Sequence, residues 1–297
     1  MQNKLTMLVT SDVHHSDEVT DPVGQIIGGD DGSWPMGGKH YRWWINALTA
    51  LEGAANRATV VSANLLVDTG DMIDGNVTDK ATALAAALAK RDLFAGNRAN
   101  IIGNHENGTP WGGDLATYYA AVESGHVTKA NSYDSGRCYT FDVNGVRCIF
   151  LGYTTTEMPS GEKTWLADTA LDTTLPVVIF SHLQLQPNGT SDFGNYTNAD
   201  DIITIIEAAG NVQLWIGSHQ HLATGGYRYV NDIMYCDMLG SVLGPSDGSE
   251  PDGTYYAYFE IVAYFNALKG TNQLRCNIEI TGHGRGGSRN LLKSLIA

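Results

Sequence analysis

The 297-residue sequence contains no run of about eighteen apolar residues, which excludes a transmembrane helix. Its opening, Met1 to Thr10, reads as a first β-strand and lacks the form of a signal peptide. Basic residues are scarce. The 18 Lys and Arg against 32 Asp and Glu leave a formal net charge of −14, so a chain relying on phosphate-backbone attraction would work against its own field. General nucleic-acid binding and membrane association are not expected, whereas metal cations suit acidic clefts. The sequence has four cysteines. Cys138 and Cys148 flank a turn at Asn144-Gly145, and pairing Val143 with Val146 places Phe141 opposite Cys148, so the two thiols face opposite sides of the sheet. Cys236 and Cys276 lie far from each other and from these. A disulfide framework has no support, and a reducing, cytoplasmic location is expected.

With 43% hydrophobic and 17% charged residues, the chain has enough apolar surface for one large globular domain. Short apolar runs alternate with helical patterns: strands at Leu5 to Val9, Asn64 to Val67 and Asn100 to Ile102, with helices from about Trp43 to Arg57 and Lys80 to Phe94 between them. A hairpin from Cys138 to Leu151, a short helix around Trp165 to Leu171, a strand from Pro176 to Phe180, a helix from Ala199 to Ala208 and a strand from Val212 to Ile216 follow. The last third is richer in strands: Gly226 to Val230, Ile233 to Met238, Tyr255 to Tyr264 and Gln273 to Ile280. These suggest a second sheet packed on the first, giving an α/β fold of two packed mixed β-sheets, a β-sandwich, flanked by α-helices. Residues 1–297 read as one domain. Long irregular stretches at about 16–39 and 186–198 are of the kind that often carries function, and the tail from His283 onward reads as a solvated end.

Chemistry-bearing residues recur where strands end. Asp12 and His14 follow the first strand and, two apart on extended backbone, address one side. Asp71 follows the second strand after Gly70, which permits a turn that a Cβ would hinder. Asn104 and His105 follow Gly103 beyond the third. His182 ends a later strand, and His219 and His221 end another. Carboxylates, imidazoles and an amide oxygen are ligands that borderline divalent metals accept without thiolate. Five strand ends supplying them is the informative coincidence, because open α/β sheets bind ligands at the carboxyl ends of their strands.

The ordered series Asp12-x-His14, Gly70-Asp71-x-x-Asp74, Gly103-Asn104-His105-Glu106, His182 and His219-x-His221 resembles the calcineurin-like metallophosphoesterase family, whose five signature blocks it presents in order. One departure is visible: Ser218 is inserted between Gly217 and His219, where the family usually reads Gly-His-x-His. The resemblance implies a metallophosphoesterase-like fold and two divalent ions, one held by Asp12, His14, Asp71 and His221 and the other by Asp71, Asn104, His182 and His219, with Asp71 bridging. Manganese, iron, zinc, cobalt and nickel all accept these ligands. It further implies a metal-bound hydroxide attacking phosphorus in line, with His105 an unligated catalytic group beside the substrate, and Asp74 and Glu106 orienting ligands, Glu106 as a support for His105. Purple acid phosphatases resemble the pattern but carry a tyrosine where Asp74 stands and lack the first-block histidine, so a charge-transfer iron site is not expected. The Asp-x-His form of the first block resembles the family's diesterases, which favours a small phosphodiester substrate. A phosphomonoesterase and a non-catalytic metal-binding scaffold are the alternatives. Oligomeric state is not legible in the sequence.

Overall fold

Leu5, Met7 and Val9 turn to one side of the first strand and Leu8 to the other, and all four are fully buried, so β1 (Asn3–Thr10) is a central strand covered on both faces. The computed structural model describes residues 3–15, 47–73, 80–107, 126–186, 195–219, 226–237, 256–265, 276–284 and 287–292. The expected long loop at about 16–39 lies outside these residues, as does most of that at 186–198. Parallel to β1 run β2 (Leu65–Asp68) and then β3 (Arg98–Asn100). Antiparallel on its other side is β11 (Tyr256–Phe265), followed by β12 (Cys276–Gly284) and β13 (Gly287–Leu292), giving a six-stranded mixed sheet in the order β13-β12-β11-β1-β2-β3.

The second sheet has seven strands: β4 (Ala130–Tyr133), β5 (Cys138–Val143), β6 (Val146–Leu151), β7 (Val177–Ser181), β8 (Val212–Gly217), β10 (Ile233–Asp237) and β9 (Gly226–Val230), in that order across the sheet. β6, β7, β8 and β10 are mutually parallel. The hairpin register is the expected one, Val143 opposite Val146 and Phe141 opposite Cys148. Cys148 faces the core between the sheets and Cys138 the core on the outer face, and both are free thiols.

Between the sheets, Leu5, Met7, Val67, Phe259 and Ile261 meet Phe150, Phe180, Leu214 and Ile216. Phe150 stacks on Phe180 with ring centroids 5.1 Å apart and on Tyr139 at 4.7 Å. Helix α1 (Ala47–Val60) covers the outer face of the first sheet through Ala54, Ala55 and Ala58 against Leu8 and Leu66. Their small side chains favour the helix and allow close approach. Beside it lies α2 (Lys80–Arg91), and α3 (Asn104–Asn107) is one short turn. On the outer face of the second sheet sit α4 (Ser160–Trp165), which continues as a π-helical turn over Leu166–Ala170, and α5 (Ala199–Ala209). In α5, Ile202 and Ile206 face inward, and Gly210 (φ 68°) ends the helix in the left-handed conformation.

Four expectations are corrected. The late strands do not form a sheet of their own: β9 and β10 extend the second sheet, whereas β11, β12 and β13 complete the first, because β11 pairs with β1 and β10 with β8. The third strand is Arg98–Asn100 rather than 100–102, and the last long strand is Cys276–Gly284 rather than 273–280. β4 was not anticipated, since its mostly exposed residues carry no alternating pattern. Residues 287–292, expected to be part of an irregular tail, are a paired edge strand. No helix among the described residues is long and apolar enough to cross a membrane.

Candidate metal centre

Parallel strands in both sheets send their carboxyl ends toward one place, and the segments leaving them are bonded to each other. Past β1 and β2 the two loops run side by side: Asp12 N–H donates to Gly70 O (3.0 Å), His14 N–H to Asp71 O (2.8 Å) and His15 N–H to Met72 O (2.9 Å). Past β7 and β8, Ser218 N–H donates to His182 O (3.0 Å). Backbone N–H groups also bond from one sheet to the other, Tyr153 N–H to Ile102 O (2.8 Å) and His219 N–H to Asp12 Oδ2 (3.2 Å). The close approach demands glycine: a Cβ at Gly70 (φ 105°) would lie 2.7 Å from Gly103 N, and one at Gly103 would lie 2.0 Å from Asp71 Oδ1.

The first block departs from its expected backbone. Asp12 (φ 48°) and His14 (φ 46°) adopt the left-handed region rather than an extended strand, as do Asp71 (φ 55°) and His219 (φ 77°). Non-glycine residues are held in that region at a cost, and such positions gather at functional sites. Asp12 and His14 nonetheless share one cleft, because backbone bonds to the β2 loop fix their turns.

Asp71 is central. Its Oδ1 accepts from His105 N–H (2.9 Å), which leaves Oδ2 surrounded by three imidazole nitrogens: His182 Nε2 at 3.3 Å, His14 Nε2 at 3.5 Å and His105 Nε2 at 4.0 Å. This fully buried oxygen accepts no hydrogen bond. His182 Nε2 also lies 2.8 Å from Asn104 Oδ1 and 3.0 Å from His219 Nδ1, and its Nδ1 lies 3.0 Å from Thr69 O. Candidate ligand atoms fall into two groups, Asp12, Asp71, His182 and His219 in one and His14, Asp71 and His105 in the other, each within 4.8 Å. Asp71 is common to both. A buried carboxylate oxygen without a hydrogen bond, ringed by imidazoles, with a second carboxylate and an amide oxygen nearby, is a donor set that fits divalent cations.

The electrostatics agree. Burial by itself would raise the pKa of Asp71, but the imidazoles of His182, His105 and His14 outweigh it and hold the carboxyl well below the usual range. Burial opposes charge on His182, yet Asp71, then Asp12 and the Thr69 carbonyl, push its pKa up to about 9. The same negative potential that retains a proton there would retain a metal ion. Asp68, buried at the end of β2, is pushed up to about 8 by burial. It accepts from Thr10 Oγ1 (2.7 Å) and Gly70 N–H (3.1 Å), bracing the turn before Asp71.

Of the eight expected site residues, the structure brings seven together: Asp12, His14, Asp71, Asn104, His105, His182 and His219. His221 lies outside the described residues, as does Asp74. The grouping differs from the assigned pairing, since Asp12 stands with His182 and His219, and His105 with His14, whose rings meet edge-on at 4.3 Å. Glu106 accepts from three backbone amides rather than bracing the His105 ring as expected. Sequence reading passed over Tyr153, whose ring meets that of His182 edge-on at 6.1 Å; it too follows an apolar strand and a glycine, so the strand-end rule would have found it. Burial and the Asp71 carboxylate raise its pKa, keeping it a phenol. The departure at Ser218 places a buried hydroxyl 3.2 Å from Thr69 O and 3.1 Å from His182 O.

A model of the calcineurin-like phosphoesterases matches residues 5–223. No curated protein matches the sequence. Among solved structures, the chain is similar to a dimetal phosphatase from Danio rerio, at 15% identity and a TM-score of 0.66 over 98% of this chain and 99% of that one. It is also similar to TT1561 of Thermus thermophilus (13%, 0.50, covering 90% and 95%) and to a purple acid phosphatase from yellow lupin seeds (9%, 0.53, covering 99% and 55%). At such identities these likenesses speak to fold.

Proposed function

Because the chain belongs to the calcineurin-like phosphoesterase family, we propose that it hydrolyses phosphoesters, small phosphodiesters by preference, at a centre of two divalent ions held by Asp12, His14, Asp71, Asn104, His182, His219 and His221. The observation that carries this reading is the Asp71 carboxylate, whose Oδ2 lies between His14 Nε2 (3.5 Å) and His182 Nε2 (3.3 Å). Bound there, two cations neutralise phosphoryl oxygens and lower the pKa of water, which is the chemistry of in-line displacement at phosphorus.

The chain's own groups do the rest. His182 donates from Nδ1 to the Thr69 carbonyl, which fixes the ring with Nε2 toward Asp71 and Asn104, where Nε2 would give up its proton to hold an ion. His105 is positioned by its own backbone bond to Asp71 Oδ1, and its side chain is one-fifth exposed, where Asp12, Asp71 and His182 are buried. A partly open imidazole beside a buried cluster can give a proton to the leaving oxygen, and His105 is assigned that role. Treating residues 1–297 as one domain belongs to this reading and is supported by the pairing of β1 with β11, which brings distant parts of the chain into one sheet.

Turnover of bis(p-nitrophenyl) phosphate and p-nitrophenyl phosphate by the manganese-loaded protein tests it. The diester is expected to turn over faster. A faster monoester would make the protein a phosphomonoesterase, in line with the phosphatase description of the Danio rerio neighbour, and two bound ions without turnover of either would make it a scaffold. Replacing His105 with Ala should cut turnover by about 10²-fold or more while both ions stay bound. A near-normal rate would remove its assigned role.

A further inference from the structure

Tyr153 follows β6 by two residues, and its backbone is held on both sides. Its N–H donates to Ile102 O (2.8 Å), just past β3 in the other sheet, and the carbonyl of the preceding Gly152 accepts from Arg137 Nη1 (2.8 Å). Arg137 is itself fixed, since it is buried, donates to Thr154 Oγ1 (2.9 Å) and pairs with the buried carboxylate of Glu162 (3.1 Å). A Cβ at Gly152 would lie 2.6 Å from Arg137 Cγ, so this close approach requires glycine. The ring anchored in this way packs on the outer core of the second sheet and meets the His182 ring edge-on at 6.1 Å.

The hydroxyl is the part of Tyr153 that the fold leaves unused. Tyr139, on β5, donates its O–H to Asn100 O (3.0 Å), whereas among the described residues nothing accepts from the hydroxyl of Tyr153, which is half-buried. The charge of Asp71 acts on that hydroxyl, which sets it on the side of the metal centre. A phenol carries one O–H donor, and a donor already held still beside a site binds an anion without the ordering cost that a mobile side chain would add. We infer that Tyr153 is a substrate-binding residue: its phenolic O–H donates to a phosphoryl oxygen of the ester seated at the ions, and to the phosphate that leaves. The inference deepens the phosphoester-hydrolase reading given above and rests on it.

The test is calorimetric titration of inorganic phosphate into the manganese-loaded full chain, wild type and Tyr153→Phe, with the Mn²⁺ affinity and melting temperature of each measured alongside. Tyr153→Phe keeps the ring and its packing and removes only the O–H. The variant is expected to bind phosphate about 10-fold or more weakly, the lower end for a hydrogen bond to a charged group, with Mn²⁺ affinity and melting temperature unchanged. Phosphate affinity at the wild-type value overturns the inference, whatever the melting temperature does, because a role confined to packing predicts that result. A fall in Mn²⁺ affinity that accounts for the weaker phosphate binding overturns it as well, since the ring would then act by placing His182. A wild type that binds two Mn²⁺ ions but no phosphate overturns the hydrolase reading, one that binds no Mn²⁺ overturns the dinuclear centre, and this inference falls with either.

Discussion

Asp71 divides its two oxygens between two tasks. Oδ1 holds the His105 backbone, and Oδ2 faces three imidazoles without a hydrogen bond. Replacing it with Asn removes the charge that both ligand groups share, so both ions should be lost together, by more than the ~10–100-fold typical of an outer partner. Metal analysis after dialysis checks this, and retention of one ion would show that the carboxylate is not shared. Ser218 makes a smaller contribution. Its buried hydroxyl lies within reach of the carbonyls of Thr69 and His182, which keep other donors, and Ser218→Gly should cost about 0.5–1.5 kcal/mol in urea denaturation of the metal-free protein. At this scale the sequence was readable wherever a side chain speaks for itself, as at Asp12, His14 or His182. The bonds that Glu106 and Ser218 make were not readable, because most of their partners are backbone groups of segments distant in the chain.

Among the elements, β3 shows how a short strand is held in place. Asn100, at its end, donates its N–H to His126 Nε2 (3.0 Å), accepts on its carbonyl from Tyr139 OH (3.0 Å) and on its side chain from Arg91 (2.8 Å). Burial pushes the pKa of His126 down to about 3, with the cations Lys129, Arg91 and Arg98 adding to the effect. A depressed imidazole pKa means that the unfolded chain takes up a proton, below about pH 6.5, before the folded one does. The stability His126 confers is therefore complete above that pH and is lost as pH falls toward 3. Between pH 7 and 5 the loss from this group is about 2 kcal/mol. In urea titrations of metal-free protein, His126→Gln should show a pH dependence shallower by that amount, and an unchanged slope would refute the assignment. Strand existence was largely legible from apolar runs. Pairing was not: nothing local in β11 states that its partner is β1, and the polar β4 has no periodicity to read.

For the whole molecule, the apolar layer between the sheets sets where the strand ends meet. Phe150, fully buried and stacked between Tyr139 and Phe180, lies near the middle of that layer. Truncation to Ala should cost about 3–5 kcal/mol in a denaturation experiment, and a loss under about 1 kcal/mol would mean that the layer repacks. The sandwich itself was foreseeable from the order of strands and helices, although the share each sheet takes of the late strands was not. What brings seven chemistry-bearing side chains together is the combination of parallel strands in two sheets with loops that cross-bond past their ends.

The most direct measurement is the electron paramagnetic resonance spectrum of the protein loaded with two equivalents of Mn²⁺. A carboxylate shared by both ions predicts the signal of an exchange-coupled pair, which Asp71→Asn abolishes. A spectrum of isolated, uncoupled ions at full occupancy would contradict the account.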